Sequence, residues 1–198
     1  MLTISYRPSL TYTPFLLPLI LLPLLAEWLY QVAYPADFQQ QKEMLLVANI
    51  IYIVVVRLAI LDGIFFMFSQ SSHALHVTLI RIVGLYLEVT LVTIAYFAIM
   101  FFIFGVFDLF HYNANINAEQ LVNMKQHDLI VAFYISTVSF TTLGLGDWVP
   151  QSLNAMISVS AEVILGVMQA AIFMAIIIYA HKNKEILAPG ARPTPVKP

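Results

Sequence analysis

One apolar run in this chain is too short for its apparent setting. Residues 128–141 begin with Asp128 and are otherwise apolar or hydroxyl-bearing. As a helix they reach only about 20 Å, against the roughly 30 Å of a bilayer's hydrocarbon core. Behind them stands Thr141-Thr142-Leu143-Gly144-Leu145-Gly146-Asp147, and after it a long apolar run, 151–179. A segment that enters a membrane without crossing it must turn back. The turn is then irregular backbone at membrane depth, tolerated only where it is buried in protein or lines a wet cavity.

Composition supports the membrane setting. The chain is 61% hydrophobic and 10% charged, where a soluble domain carries about 25% charge. The apolar residues fall in long blocks, so the expected fold is an all-α, multi-pass integral membrane protein in a cell membrane, plasma or bacterial inner. Absence of cysteine excludes disulfides, thiolate metal sites and Cys nucleophiles. A net charge of -2 offers no basic patch for nucleic acid. Ser136, Thr137, Ser139 and Thr141 have no sequence-adjacent base, so no enzyme is expected. His73 and His76 supply only two nitrogens and read as interfacial histidines rather than a metal site.

The blocks divide the chain. Residues 1–75 hold two spanning helices, 14–34 and 44–69, joined by a polar loop at 35–43. The first is irregular, with Pro14, Pro18 and Pro23. A signal peptide is the competing reading there, but no small-x-small cleavage site follows convincingly. Residues 76–180 hold a helix at 76–107, a polar loop at 108–127, the short helix 128–141, the glycine loop 142–147 and a helix at 151–179. Asn117 with Gln120 looks like a helix start inside the polar loop, and Asp128 is placed to cap the short helix. The tail, 181–198, has Lys182, Lys184, Arg192 and Lys197 against Glu185, and reads as disordered and cytoplasmic. Four crossings put the N-terminus on the same side and make 108–127 external.

Charges within the second and third helices need partners. In an antiparallel hairpin, residues at equal depth have a nearly constant sum of residue numbers. Arg57 with Glu88 and Asp62 with Arg81 both meet that condition, so two interhelical ion pairs are expected. A voltage sensor would need several cations at every third position of one helix, and these arginines stand singly.

The glycine loop suits a dehydrated ion. Backbone carbonyls in a line can replace lost water. Pointing them the same way needs alternating backbone handedness, which Gly144 and Gly146 permit. Leu143 and Leu145 then turn their side chains outward, and the Thr142 hydroxyl adds an inner oxygen ring. The short helix aims the negative end of its dipole at the ion path, favouring cations. One chain supplies one loop, so four strands around the ion require a homotetramer. Glu162 either hydrogen-bonds behind the loop or faces the path.

Thr141-Thr142-Leu143-Gly144-Leu145-Gly146-Asp147 resembles the T-T-V-G-Y-G-D filter of potassium channels, in which rings of backbone carbonyls select the ion. The likeness covers about 128–180: short pore helix, filter, Asp147-x-x-Pro150 and inner helix. By the same pattern, 76–107 is the outer pore helix. Residues 1–75 show no such likeness. The resemblance implies passive K+ conduction by a homotetramer in a lipid bilayer, with no cofactor beyond permeant K+. It implies K+ coordination by Thr142, Leu143, Gly144, Leu145 and Gly146, with Asp147, Thr141, Phe133 and Tyr134 as filter support. Gly166 falls where the family commonly has a hinge glycine, and Val167, Ala170, Met174 and Ile178 follow at cavity-lining spacing. Leu145 departs from the family's usual Tyr or Phe, though Leu occurs there in some two-pore-domain potassium channels. The departure loses an aromatic wedge and a hydrogen bond, which softens the filter. A poorly selective monovalent cation channel and a non-conducting membrane subunit are the alternatives.

Overall fold

The protein, as a computed structural model, is described over residues 13–70, 79–113 and 118–182. Helix α1 (Thr13–Ala33) and helix α2 (Pro35–Gln70) are separated only by Tyr34. Helical backbone bonds reach up to Tyr34 and on from it: Tyr34 N–H to Tyr30 O at 2.8 Å, and Phe38 N–H to Tyr34 O at 3.0 Å. The two helices fold back so that Asn49 Nδ2 reaches both carboxylate oxygens of Glu27 at 2.6 Å.

The polar loop expected at 35–43 is instead the first two turns of α2. Pro35 occupies the first helical position, where its missing N–H costs nothing. Asp37 complements the dipole in the first turn. Gln39, Gln40, Gln41, Lys42 and Glu43 are polar but good helix formers, so the helix continues through them. Phe38 is fully buried and holds this extension down, packing on Tyr30 and Phe104.

Helix α3 (Leu79–Ile103) ends earlier than the expected residue 107 because Gly105 is left-handed, with φ 81°. A one-turn helix α4 (Val106–Leu109) follows. The chain then pairs β1 (Phe110–Tyr112) antiparallel with β2 (Trp148–Pro150), Phe110 opposite Pro150 and Tyr112 opposite Trp148. Helix α5 (Ala118–Gln126) leads into α6 (Asp128–Phe140), and α7 (Leu153–Lys182) closes the described chain. The helix start expected at Asn117 lies outside the described residues, as do His73 and His76 and nearly all of the tail.

Among the described residues, three helices contain stretches long and apolar enough to cross a membrane: Pro35–Asp62, Val83–Ile103 and Leu153–Ile178. The described part of α1 adds a shorter apolar stretch, Ile20–Ala33. This is an all-α multi-pass membrane fold. Helix α3 packs against α6, α1 and α7, and its Tyr96, Phe97, Met100 and Phe101, with Phe104 just beyond its end, form the centre of the core. Helix α2 packs mainly against α1 and α7.

That packing corrects one expectation. Arg57 is buried but makes no ion pair with Glu88; it donates to Gln169 Oε1 on α7. About two turns towards the start of α2, a pair with that same sum does meet. Asn49 and Tyr96 have the same sum of residue numbers as Arg57 and Glu88, and Tyr96 O–H donates to Asn49 Oδ1 at 2.7 Å. At Arg57, α7 stands between α2 and α3: its Gln169 takes the guanidinium on one side and bonds Thr90 and Tyr86 of α3 on the other. Asp62 is exposed, and the side chain of Arg81 lies outside the described residues. The salt bridge among the described residues is at the opposite end of α2, Lys42 to Asp108 at 2.7 Å.

Candidate functional site: the re-entrant helix and its glycine loop

Helix α6 divides lengthwise. Val131, Ala132, Ile135, Ser136 and Ser139 are buried against α3 and α7. Leu129, Ile130, Phe133, Tyr134 and Thr137 recur at the same three-to-four spacing and face outward, uncovered by this subunit. Asp128 is the first helical residue rather than the cap; His127 holds the cap position without a side-chain bond. The Asp128 carboxylate accepts the Leu129 N–H at 2.8 Å, which still places a negative charge at the positive end of the helix.

The C-terminus of α6 makes the loop. Thr142 N–H donates to Ser139 O and Leu143 N–H to Val138 O, both at 3.1 Å. These two bonds, with a left-handed residue between, form the Schellman termination. The left-handed residue is usually glycine; here it is Thr142, with φ 60°. Gly144 (φ 88°) and Gly146 (φ 38°) follow at two-residue intervals, and neither Leu143 nor Leu145 has positive φ. Handedness therefore alternates through the loop. The sequence pointed to the two glycines but not to Thr142, since no glycine marks the helix end.

The side chains divide accordingly. Leu145 packs on the core, whereas Leu143 is 79% exposed. The Leu145 carbonyl accepts the N–H groups of Asp147 and of Trp148, the latter at 2.8 Å, in a tight turn. The Thr141 hydroxyl donates back to Thr137 O at 2.7 Å. Tyr134 O–H stands 3.4 and 3.5 Å from the Asp147 carboxylate oxygens, a long contact. An open groove of about 420 Å³ lies behind the loop, between Leu145, Trp148 and the α7 residues Val159 and Val163.

Beyond the loop, the chain is clasped. Asn113 N–H donates to Asp147 O at 2.7 Å and Gln151 N–H to Leu109 O at 2.9 Å, on either side of the β1–β2 pairing. Trp148 is buried edge-on between Phe107 and Tyr112, with ring centroids 5.6 and 5.1 Å away. Sequence reasoning passed over Trp148 as a support; the signal was an aromatic immediately after the loop.

Helix α7 backs the site with small and polar residues. Glu162 is fully buried and hydrogen-bonded to Ser136 on α6, so it lies behind the loop within this subunit. Ser136 Oγ also lies 2.9 Å from Ile94 O. The Ser136 hydroxyl thus lies between the Ile94 carbonyl and the Glu162 carboxylate, tying α6 to both α3 and α7. Gly166 has a packing reason to be glycine: a Cβ there would be 3.3 Å from the Phe140 carbonyl carbon and closer still to its oxygen. Helix α7 runs unbroken through this contact. Val167, Ala170, Met174 and Ile178 are all exposed along one face of α7, away from Glu162 and Gln169.

Residues 88–181 match a protein-family model described as "Ion channel". No curated protein and no solved structure matches the chain. The matched segment contains α3 from Glu88 onward, the re-entrant helix, its loop and nearly all of α7.

Proposed function

We propose that this chain is a subunit of a K+-selective channel, four copies surrounding one ion path lined by residues 142–146. The observation that carries this is the alternation of backbone handedness at Thr142, Gly144 and Gly146, directly beneath the end of a helix too short to cross the membrane. Alternation lets successive carbonyls face one axis, and a desolvated cation needs such a ladder. The Thr142 hydroxyl supplies a further oxygen. The uncovered faces fit the assembly: Leu143, Phe133, Tyr134 and the groove behind the loop are surfaces that a neighbouring copy would cover. Val167, Ala170, Met174 and Ile178 would then line the inner path. Both termini would be cytoplasmic, and Asp147 would brace the outer mouth. Passive conduction needs no catalytic group and no cofactor.

A less selective cation path is the second reading, and two features favour it. Leu145 has no ring to wedge against the aromatics of α6, and its carbonyl already accepts two backbone N–H groups. Reversal potentials of the reconstituted protein under opposed K+ and Na+ gradients distinguish the two. A potential that follows the K+ gradient supports selectivity. One insensitive to K+ overturns it.

A further inference from the structure

Helix α2 is outside the segment matched to the ion-channel family, yet it places its one deeply buried cation on that segment's last helix. Arg57 is 2% exposed, and its Nη2 donates to Gln169 Oε1. Its Nε has no acceptor among the described residues. Gln169 is itself held on the far side, its Nε2 donating to Thr90 Oγ1 at 2.6 Å and to Tyr86 O at 3.1 Å. A guanidinium from α2, an amide from α7 and two oxygens from α3 thus form one polar chain across three helices. No carboxylate neutralises Arg57 among the described residues. Packing alone gives no reason for such a residue: a leucine would fill the space without a stranded N–H, and unpaired cations within membrane helices are costly.

Its position suggests the reason. Gln169 lies one turn beyond Gly166, where α7 is pressed against Phe140 at the end of the re-entrant helix. On one side of that contact α7 backs the loop through Glu162; on the other it carries the exposed face of Ala170, Met174 and Ile178. After Gly166, α7 is tied to α3 through Gln169 and through Phe173, whose ring stacks on Tyr86 at 4.3 Å; Gln169 is where α2 joins that tie.

We infer that Arg57 is a positioning residue for ion passage, acting through Gln169, by which α2 holds the second half of α7 and sets how often the path is open. The inference rests on the reading of α7 as the lining of that path. Loss of the link changes open probability; it leaves the current through an open channel and its ion preference alone, because neither residue touches the loop.

The test is single-channel recording of the full-length protein in bilayers. Arg57→Leu and Gln169→Leu each shift open probability about fivefold or more in the same direction, the scale of a modest coupling energy. Unit current and reversal potential stay at the wild-type values, the double variant shifts no further than Gln169→Leu alone, and Arg57→Lys shifts less than Arg57→Leu. Unchanged open probability in the leucine variants, or additive effects in the double variant, overturns the inference. Should the leucine variants not assemble, the cysteine-free chain allows a second route. Arg57→Cys with Gln169→Cys, joined by a reducible bifunctional thiol reagent, fixes open probability until the reagent is cleaved. Gating that ignores the crosslink overturns the inference. A wild-type protein that passes no ions under any condition overturns the conduction reading and the inference with it, whereas normal currents with indifferent variants overturn the inference alone.

Discussion

The carbonyl of Phe140 lies against the bare Cα of Gly166. The last residue of the re-entrant helix and the middle of α7 are thus in backbone contact, with no side chain between them to yield. Gly166→Ala forces these backbones apart. The expected cost is about 1–3 kcal/mol per subunit, the usual range for overpacking. Thermal unfolding of the purified assembly should show it as a lower midpoint, accompanied by loss of ion flux. An unchanged midpoint would mean that α7 bends away freely.

Thr142 separates structure from conduction. A threonine in the left-handed position of a helix termination is strained by about 1–2 kcal/mol relative to glycine. Thr142→Gly is therefore expected to stabilise the subunit while removing the hydroxyl proposed to face the ion. Melting temperature should rise and K+ flux into liposomes should fall. Thr142→Ser, which keeps the oxygen, should retain flux.

A methyl group on Gly144 or Gly146 would enter open space, so their substitution meets no clash within the subunit. What an alanine meets there is the left-handed backbone, at about 1–2 kcal/mol. Gly144→Ala should leave the fold and circular dichroism intact yet abolish flux, as its carbonyl turns off the axis. Wild-type flux from this variant would remove the carbonyl-ladder reading.

Glu162 Oε1 accepts from the Ser136 hydroxyl, a contact that the carbonyl oxygen of a neutral amide can keep. Glu162→Gln is expected to conduct and assemble like the wild type. Glu162→Ala loses the Ser136 hydrogen bond and leaves a void, costing about 1–3 kcal/mol. Currents that vanish with glutamine but persist with alanine would contradict this pairing.

Trp148 anchors the far end of the loop between Phe107 and Tyr112. Trp148→Ala should cost about 3–5 kcal/mol, the range for emptying a large aromatic site, and Trp148→Phe much less. Hydrogen exchange at the β1–β2 pairing should speed up in the alanine variant.

Much of this was legible in the chain because membranes leave few choices. The short run at 128–141 had to turn back, and Gly-Leu-Gly had to supply irregular backbone where it turned. Counting residues matched α2 to α3 at Asn49–Tyr96 but failed at Arg57, whose partner lies on α7. Contacts between distant segments were not legible. Arg57 and Gln169 are 112 residues apart, and no spacing rule connects them. The polar stretch after Pro35 misled because polarity marks contact with water, not the end of a helix. The β1–β2 clasp went unseen because each strand is three residues long, too short for alternation to register.

Besides the Asn49 and Phe38 contacts, the Lys42–Asp108 bridge gives α2 a charged attachment about 22 Å along its axis from Arg57 at 1.5 Å per residue. The two attachments differ in kind. Asp108 is 70% exposed at its side chain, so this one is open to dissolved ions, whereas the Arg57 link is sealed from them. Ionic strength on the side that wets Asp108 should weaken that bridge and spare the Arg57 link, while Phe38 keeps the start of the helix packed. The helix then behaves as a strut with one permanent joint and one that depends on the bathing medium.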